Sequence, residues 1–193
     1  MMPASVPLTR DLVLIGGGHA HALVLRMWGM DPLPGARLTV IDPNPVAPYT
    51  GMLPGLAAGH YRREDLEIDL VRLARFAGAR LIVGAVTGID AGAGRVTVAG
   101  RGEIGFDVAS VDVGIHSGMP RVPGFAEHGV AAKPLGPFAG AWERYLGRVA
   151  QGAVPQAAVI GGGIAGIELA MAMAYRLKAV AGQAEVTLIE RAG

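Results

Sequence analysis

Apolar and polar positions along the chain follow two rhythms, and the switch between them marks the predicted elements. Residues 12–15, LVLI, are a short continuous apolar run entering GGG, the pattern of a strand buried on both faces. From His19 to Met30 the apolar residues Leu23, Met27 and Met30 recur at helical spacing. Asp31-Pro-Leu-Pro-Gly35 breaks that helix, and residues 37–42, RLTVID, form a second strand rich in β-branched residues that ends on an acid. Strand, glycine turn, helix, strand and acid together predict one complete βαβ unit.

Residues 42–61, DPNPVAPYTGMLPGLAAGHY, are full of proline and glycine and predict a long connection, a kind that carries function more often than not. RRED at 62–65 reads as the solvated start of a helix. Residues 69–77 place Leu70, Leu73, Ala74 and Ala77 on one stripe, a short helix facing a core. Three apparent strands follow at 79–90, 95–99 and 104–114, joined by AGAG and GRGE, so they predict an antiparallel meander. Phe138, Trp142, Tyr145, Leu146 and Val149 mark another amphipathic helix. Residues 157–160 are again a strand, and a second GGG follows it.

The two glycine turns belong to an internal repeat. Gly16, Gly17 and Gly18 align with Gly161, Gly162 and Gly163, and RLTVID at 37–42 aligns with EVTLIE at 185–190. One such turn is weak evidence, but a turn followed by an acid at the next strand end is much stronger, and this layout occurs twice. Gly16 and Gly161 permit a sharp turn, while Gly18 and Gly163 leave no side chain where a pyrophosphate touches backbone. The helix that follows offers unpaired N–H groups and a positive dipole end to that anion. This requires that the amides around 16–20 stand open and that 161–166 not lie in one continuous helix. Asp42 and Glu190 can each accept hydrogen bonds from a ribose diol, and Glu190 favours NAD over NADP by repelling a 2′-phosphate, with Arg191 beside it acting the other way. The third glycine is kept as Gly166 but replaced by His21 in the first unit. Three readings stay open there: a slightly displaced helix with the ring packed on the turn, a contact of His21 or His19 with a bound dinucleotide, or a metal site. The last is weak because side chains two apart on a helix diverge.

Composition narrows the picture. Half of the 193 residues are apolar and the net charge is +1, which gives no electrostatic reason to expect nucleic acid or an anionic membrane as partner. The 30 glycines have no three-residue period, which excludes collagen. There is no cysteine, so disulfides, thiolate metal sites and thiol nucleophiles are excluded from this chain. The N-terminal residues lack a secretory signal pattern, and Arg26, Glu168 and Arg176 interrupt the best apolar runs, so no transmembrane segment is expected and a cytoplasmic protein is. Phosphate-loop, nucleophile-elbow, zinc-protease and calcium-loop motifs are missing. His60, His116 and His128 are scattered, and no metal site is expected.

GGGHAH, the acid-terminated strand, the meander, FDVASVDVG at 106–114, PRVPG at 120–124 and the late GGGIAGIE resemble the two-dinucleotide-binding flavoproteins of the pyridine nucleotide-disulfide oxidoreductase superfamily. PYTGMLPGLAAGHY and LARFAGARLI look most like the NADH-dehydrogenase-type flavoprotein that some relatives carry fused to selenide, water dikinase. The resemblance implies an α/β fold. Residues 1–150 would be a Rossmann-like FAD-binding domain, a parallel sheet with helices plus a β-meander at about 79–114. Residues 151–193 would be the first βαβ of a second Rossmann-like, NAD(P)-binding domain, incomplete because relatives continue, so a C-terminally truncated chain is expected. By position Gly16, Gly18, His19, Ala20, Asp42, Tyr49, Val86 and Gly114 would hold FAD. Val86 would meet the adenine through its backbone, and Gly114 ends a turn that reads DVG where the family has ATG. Gly161, Gly163, Gly166 and Glu190 would hold NAD(H), with NADP the less favoured co-substrate.

Glu168 matches a glutamate that relatives place near the flavin–nicotinamide junction; its simpler reading is an acid in the first turn of a helix, favoured by the dipole. Tyr49 and Met52 either line the flavin or merely pack their loop. Without cysteine, disulfide and sulfide chemistry are unavailable, which leaves hydride transfer from NAD(P)H to FAD and on to a quinone or another non-thiol acceptor. The same resemblance leaves open a homodimer and peripheral attachment at the inner face of the membrane. A different class also stays open, a non-catalytic dinucleotide-binding module associated with selenium metabolism.

Overall fold

The computed structural model describes residues 7–114, 117–118 and 122–191. His116, and Pro120 and Arg121 of the PRVPG stretch, lie outside them. In chain order the first elements are β1 (Arg10–Ile15), α1 (His19–Met30), β2 (Ala36–Asp42) and β3 (Val46–Pro48). A 3-10 turn at Thr50–Met52 leads into α2 (Leu53–Ala58), and another at Arg63–Leu66 into β4 (Glu67–Asp69) and α3 (Leu70–Ala77). Five strands follow: β5 (Arg80–Val83), β6 (Val86–Asp90), β7 (Arg95–Val98), β8 (Gly102–Gly105) and β9 (Val108–Val111). The last elements are α4 (Phe125–His128), α5 (Leu135–Ala150), β10 (Gln156–Ile160), α6 (Ile164–Ala181) and β11 (Glu185–Ile189).

These elements form two compact units that do not follow chain order. The first holds the described residues up to Pro48 together with Glu67–Gly114; the second holds Tyr49–Leu66 and the described residues from Ser117 onward. The expected boundary at 150 therefore falls inside the second unit, between α5 and β10.

In the first unit a four-stranded sheet runs β5-β2-β1-β9, all parallel. The period of two along its strands sorts the side chains onto opposite faces. Leu14, Leu38 and Val40 face α1 and α3, burying Leu25, Leu70, Ala74 and Ala77 with them. Val13, Ile15, Ile41 and Ile82 cluster instead with Val96 and Val98 of the antiparallel meander β6-β7-β8. Covering both faces is what makes LVLI read as an unbroken apolar run and buries Thr39 within LTVI. The meander itself is smaller than the sequence predicts. The apparent strand at 79–90 breaks at Gly84 and Ala85, its first half joining the parallel sheet as β5 and its second half starting the meander as β6. The stretch at 104–114 divides likewise, β9 pairing with β1. A Cβ on Gly84 would lie 2.7 Å from Val98, so the break is also a point of close packing.

α1 occupies the predicted residues, but its helical stripe is not its buried face. Leu23, Met27 and Met30 are exposed, and His21 and Leu25 are the buried pair. α3 is capped by Asp69, whose carboxylate accepts from the Arg72 N–H at 2.9 Å, and ends on Gly78 in the left-handed region.

The second unit packs α2, α5 and α6 with the parallel pair β10–β11. Leu169, Ala172, Met173 and Leu177 form the buried stripe of α6, and Phe138, Ala139, Trp142 and Val149 that of α5. The Trp142 indole N–H donates to the buried Ala57 carbonyl at 3.0 Å. α2 interrupts what reads as a loop: Pro54 sits in its first turn, where no intrahelical N–H is needed, and Leu53, Leu56, Ala57 and Ala58 are all buried. No helix among the described residues is long and apolar enough to cross a membrane.

Candidate functional site

The two glycine turns share backbone geometry and the hydrogen bonds that anchor them. Gly16 and Gly161 both take positive φ, 91° and 116°, which L side chains rarely adopt. The Gly16 N–H donates to the Ile41 carbonyl at 2.8 Å, and the Gly161 N–H to the Ile189 carbonyl at 2.8 Å. Each turn is thereby tied to the end of the neighbouring strand. The terminal acids close both arrangements in the same way: the Asp42 carboxylate accepts from the Gly17 N–H at 2.7 Å, and the Glu190 carboxylate accepts from the Gly162 N–H. Gly18 and Gly163 are the N-caps, with extended φ and ψ of −60° and 173° against −67° and 170°. Residues 161–163 thus form a turn and 164–166 open α6, so the stretch is not one continuous helix.

The structure brings Gly16, Asp42, Val86 and Gly114 around one cavity of about 560 Å³. Its walls come from the strand ends Ile15, Ile41 and Val111, the Pro43–Asn44 corner and the start of β6. Asp42 holds its position through both oxygens, Oδ1 accepting from the Asn44 N–H at 2.8 Å. His19 and Ala20 are exposed at the start of α1. Gly17 is packed by its neighbours, since a Cβ there would lie 2.3 Å from Leu70. A larger cavity, about 1040 Å³ in the second unit, is lined by Trp142, Tyr145, Leu169 and Met173 and includes none of the predicted site residues.

One expectation is corrected, one open reading is decided and one simpler reading loses ground. First, the amides around 16–20 do not stand open. Asp112 follows β9 and lies across the turn: its carbonyl accepts from the Gly18 N–H at 3.3 Å, and its Oδ2 accepts from the Ala20 and His21 N–H groups at 3.0 and 3.1 Å. A carboxylate is the natural partner for unpaired amides at a positive dipole end. Second, the His21 ring packs on the turn: it is buried, with Nδ1 2.7 Å from the Gly16 carbonyl and Nε2 2.9 Å from the Ser110 hydroxyl. The carbonyl can only accept, so Nδ1 carries the proton and, in the neutral ring, Nε2 accepts from Ser110. The corresponding Gly166 could not carry such a side chain in place, because a Cβ there would lie 1.8 Å from the Gly161 carbonyl oxygen. The first helix is therefore set differently against its turn. Third, Glu168 is exposed and lies beyond the first turn of α6, so the dipole reading loses most of its force.

Tyr49 belongs to the second compact unit, where its N–H donates to the Leu66 carbonyl at 2.7 Å and its ring lies against Gly51. Gly114 is exposed at the rim of the smaller cavity. Among the described residues, no three His, Asp or Glu side chains gather as metal ligands. Asp112 is the residue that the sequence reading missed. Its signal was a charged side chain directly after the strand VASV, where the expected turn has none.

Residues 10–193 match the family model described as pyridine nucleotide-disulphide oxidoreductase. A comparison with curated proteins returned no match. Among solved structures, similarity extends to the sulfide:quinone oxidoreductase of Aquifex aeolicus, at 21% identity and TM-score 0.71, over 94% of this chain and 43% of that one. Bacillus anthracis CoADR-RHD aligns at 20% identity and TM-score 0.74, over 95% and 33%. NDH2 from Plasmodium falciparum in complex with NADH aligns at 14% identity and TM-score 0.70, over 94% and 42%. The chain therefore spans less than half the length of each of these three structures. At such identities they show a shared fold, the Rossmann-like α/β architecture expected from the repeat.

Proposed function

The chain belongs to the pyridine nucleotide-disulphide oxidoreductase family, and from that premise we propose that it is an FAD-dependent oxidoreductase. It would accept hydride from NAD(P)H and pass the electrons to a quinone or another acceptor that is not a thiol. The observation that carries this reading is the shared backbone geometry of the two turns, since each has the glycine geometry and terminal acid that a dinucleotide requires.

The residues fit the group. The cavity beside the first turn is walled by Asp42 and Val86 and is of a size for an adenosine moiety, while a diphosphate at the turn would take the place of the Asp112 carboxylate that holds its amides. When bound, FAD supplies a carrier that takes a hydride and releases its electrons onward. Asp42 would orient the ribose and Val86 would border the adenine. His19 and Ala20 would present the start of α1 to the diphosphate, with Gly114 at the rim. Tyr49, expected to hold FAD, lies in the second unit and is not assigned to this cavity. At the second turn Gly161, Gly163 and Gly166 would admit the nicotinamide dinucleotide, and Glu190 would favour NADH by repelling a 2′-phosphate. Glu168, exposed on α6, is a candidate to face the reacting rings.

With no cysteine in the chain, a dithiol relay through its own residues is unavailable. The quinone and nicotinamide readings rest on the sequence resemblance; one structural relative is a sulfide:quinone oxidoreductase and another was solved with NADH. The finer placement, beside the selenium-linked NADH-dehydrogenase type, rests on the stretches at 48–61 and 73–82. Mixing FAD-loaded protein with NADH in the absence of oxygen tests the proposal. The flavin colour bleaches, and a soluble quinone restores it. Bound flavin that NADH leaves unbleached would instead mark a binding module without turnover.

A further inference from the structure

The two turns differ in one respect that the repeat makes plain. A Cβ on Gly163 would meet nothing within 4 Å, whereas a Cβ on Gly18 would lie 2.4 Å from each of the three Asp112 carboxylate atoms. The carboxylate thus sits on the face where the first turn shows bare backbone. It holds two amides of the first helical turn, and the Asp112 main chain is fixed by its N–H donating to the Ile15 carbonyl at 2.8 Å and by its carbonyl accepting from Gly18. The side chain can swing away while its backbone stays paired, because only the χ angles need change.

We propose that Asp112 is a built-in competitor for the diphosphate at the first turn, setting that site's affinity for dinucleotides well below what the turn alone would provide. The inference rests on the dinucleotide reading of that site. A diphosphate and the carboxylate seek the same amides, since both are anions drawn to the same unpaired N–H groups and dipole end. Binding must displace Asp112 from two charge-assisted hydrogen bonds and leaves a negative side chain beside a negative ligand. The second turn has no such occupant at Gly163, so the penalty falls on one site alone. The device selects by charge and not by base: it opposes any adenine nucleotide with a diphosphate and leaves adenosine untouched.

The test is titration of the intact chain with FAD, ADP, adenosine and NADH, in the wild type, Asp112→Asn, Asp112→Ser and the charge control Asp90→Asn. Asn and Ser change only the side chain and leave the main-chain hydrogen bonds of residue 112 to Ile15 and Gly18 in place, so the fold is retained. Asp112→Asn and Asp112→Ser should bind FAD and ADP about ten- to a hundredfold more tightly, the range that losing charge-assisted competition represents. Adenosine should be unchanged, as should NADH at the second turn, and Asp90→Asn should match the wild type for every ligand. Thermal melting adds a second readout, because the variants melt lower alone yet gain a larger ADP-induced shift. Equal or weaker ADP binding in both variants overturns the competition while leaving the dinucleotide reading intact. An equal gain in Asp90→Asn reduces the effect to net charge and also overturns it. If neither wild type nor variants bind FAD or ADP, the reading of the first site fails, and the competition fails with it.

Discussion

At the scale of single residues, glycines without Cβ neighbours separate binding from folding. Gly163 has ordinary φ and open space around its missing Cβ, so Gly163→Ala should still fold, at a cost of about 1 kcal/mol because alanine is the poorer N-cap. A methyl group on that backbone would stand where the nicotinamide dinucleotide approaches, so NADH binding should fall at least about tenfold while FAD binding holds. Isothermal titration with each ligand measures the split. Gly166→Ala is the contrasting case. With Gly161 O 1.8 Å from the new carbon, α6 must shift, and both melting temperature and NADH affinity should drop. Asp65 offers a pH test. The Arg62 N–H, and after it the Arg62 guanidinium, hold its carboxyl below the ordinary carboxylate range. A depressed folded value contributes stability above the unfolded value and loses it as pH falls through the folded one. The loss belongs below about pH 4. Asp65→Asn should therefore narrow the difference in melting temperature between neutral and acid solution.

These residues also show what the sequence made legible. Gly16, Gly161, Asp42 and Glu190 could be found because the repeat printed each of them twice, and backbone geometry there depends on residue type. Asp112 could not be found that way. Its role depends on β9 pairing beside β1, which brings residue 112 across a turn nearly a hundred positions earlier. His21 lay between the two cases. The departure from glycine was visible, but only the positions of Gly16 and Ser110 decide that the ring packs inward.

At the scale of elements, α-helices and parallel strands were legible because their apolar runs had one meaning. β1, β2, α1, α3 and α5 sit close to the predicted residues. The failures share a cause, which is that local breakers were read without their packing. Pro54 and Gly55 suggested a loop, yet proline is at home in the first turn of a helix, and burial of Leu53 and Leu56 stabilises α2. The meander was overextended because a strand leaving one sheet for another keeps the same alternation across Gly84. Its attachment gives a prediction. Val96 and Val98, both buried, hold β7 against the parallel sheet. Val96→Ala should cost about 1–3 kcal/mol, read as a shifted denaturation midpoint, and should weaken FAD more than NADH. Equal losses for both ligands would mean that the meander does not bear on the first site.

At the scale of the whole molecule, chain order and compactness disagree. The sequence suggested one boundary near 150, but residues 49–66 and the described residues from 117 onward group with the second turn, while β4 and α3 return to the unit of the first. Local patterns could not reveal this, because membership of a unit is decided by which apolar faces meet. Leu53, Leu56 and Leu66 bury their side chains with α5 and α6, so their segment goes with them. We propose that each unit serves one coenzyme through its own turn, the first for FAD and the second for NADH.

Native mass spectrometry of the intact chain with FAD and NADH, separately and together, tests that claim most directly. A species carrying one of each, with Gly163→Ala losing only the NADH increment, is the predicted result. Complexes that hold one dinucleotide or the other but never both would contradict it.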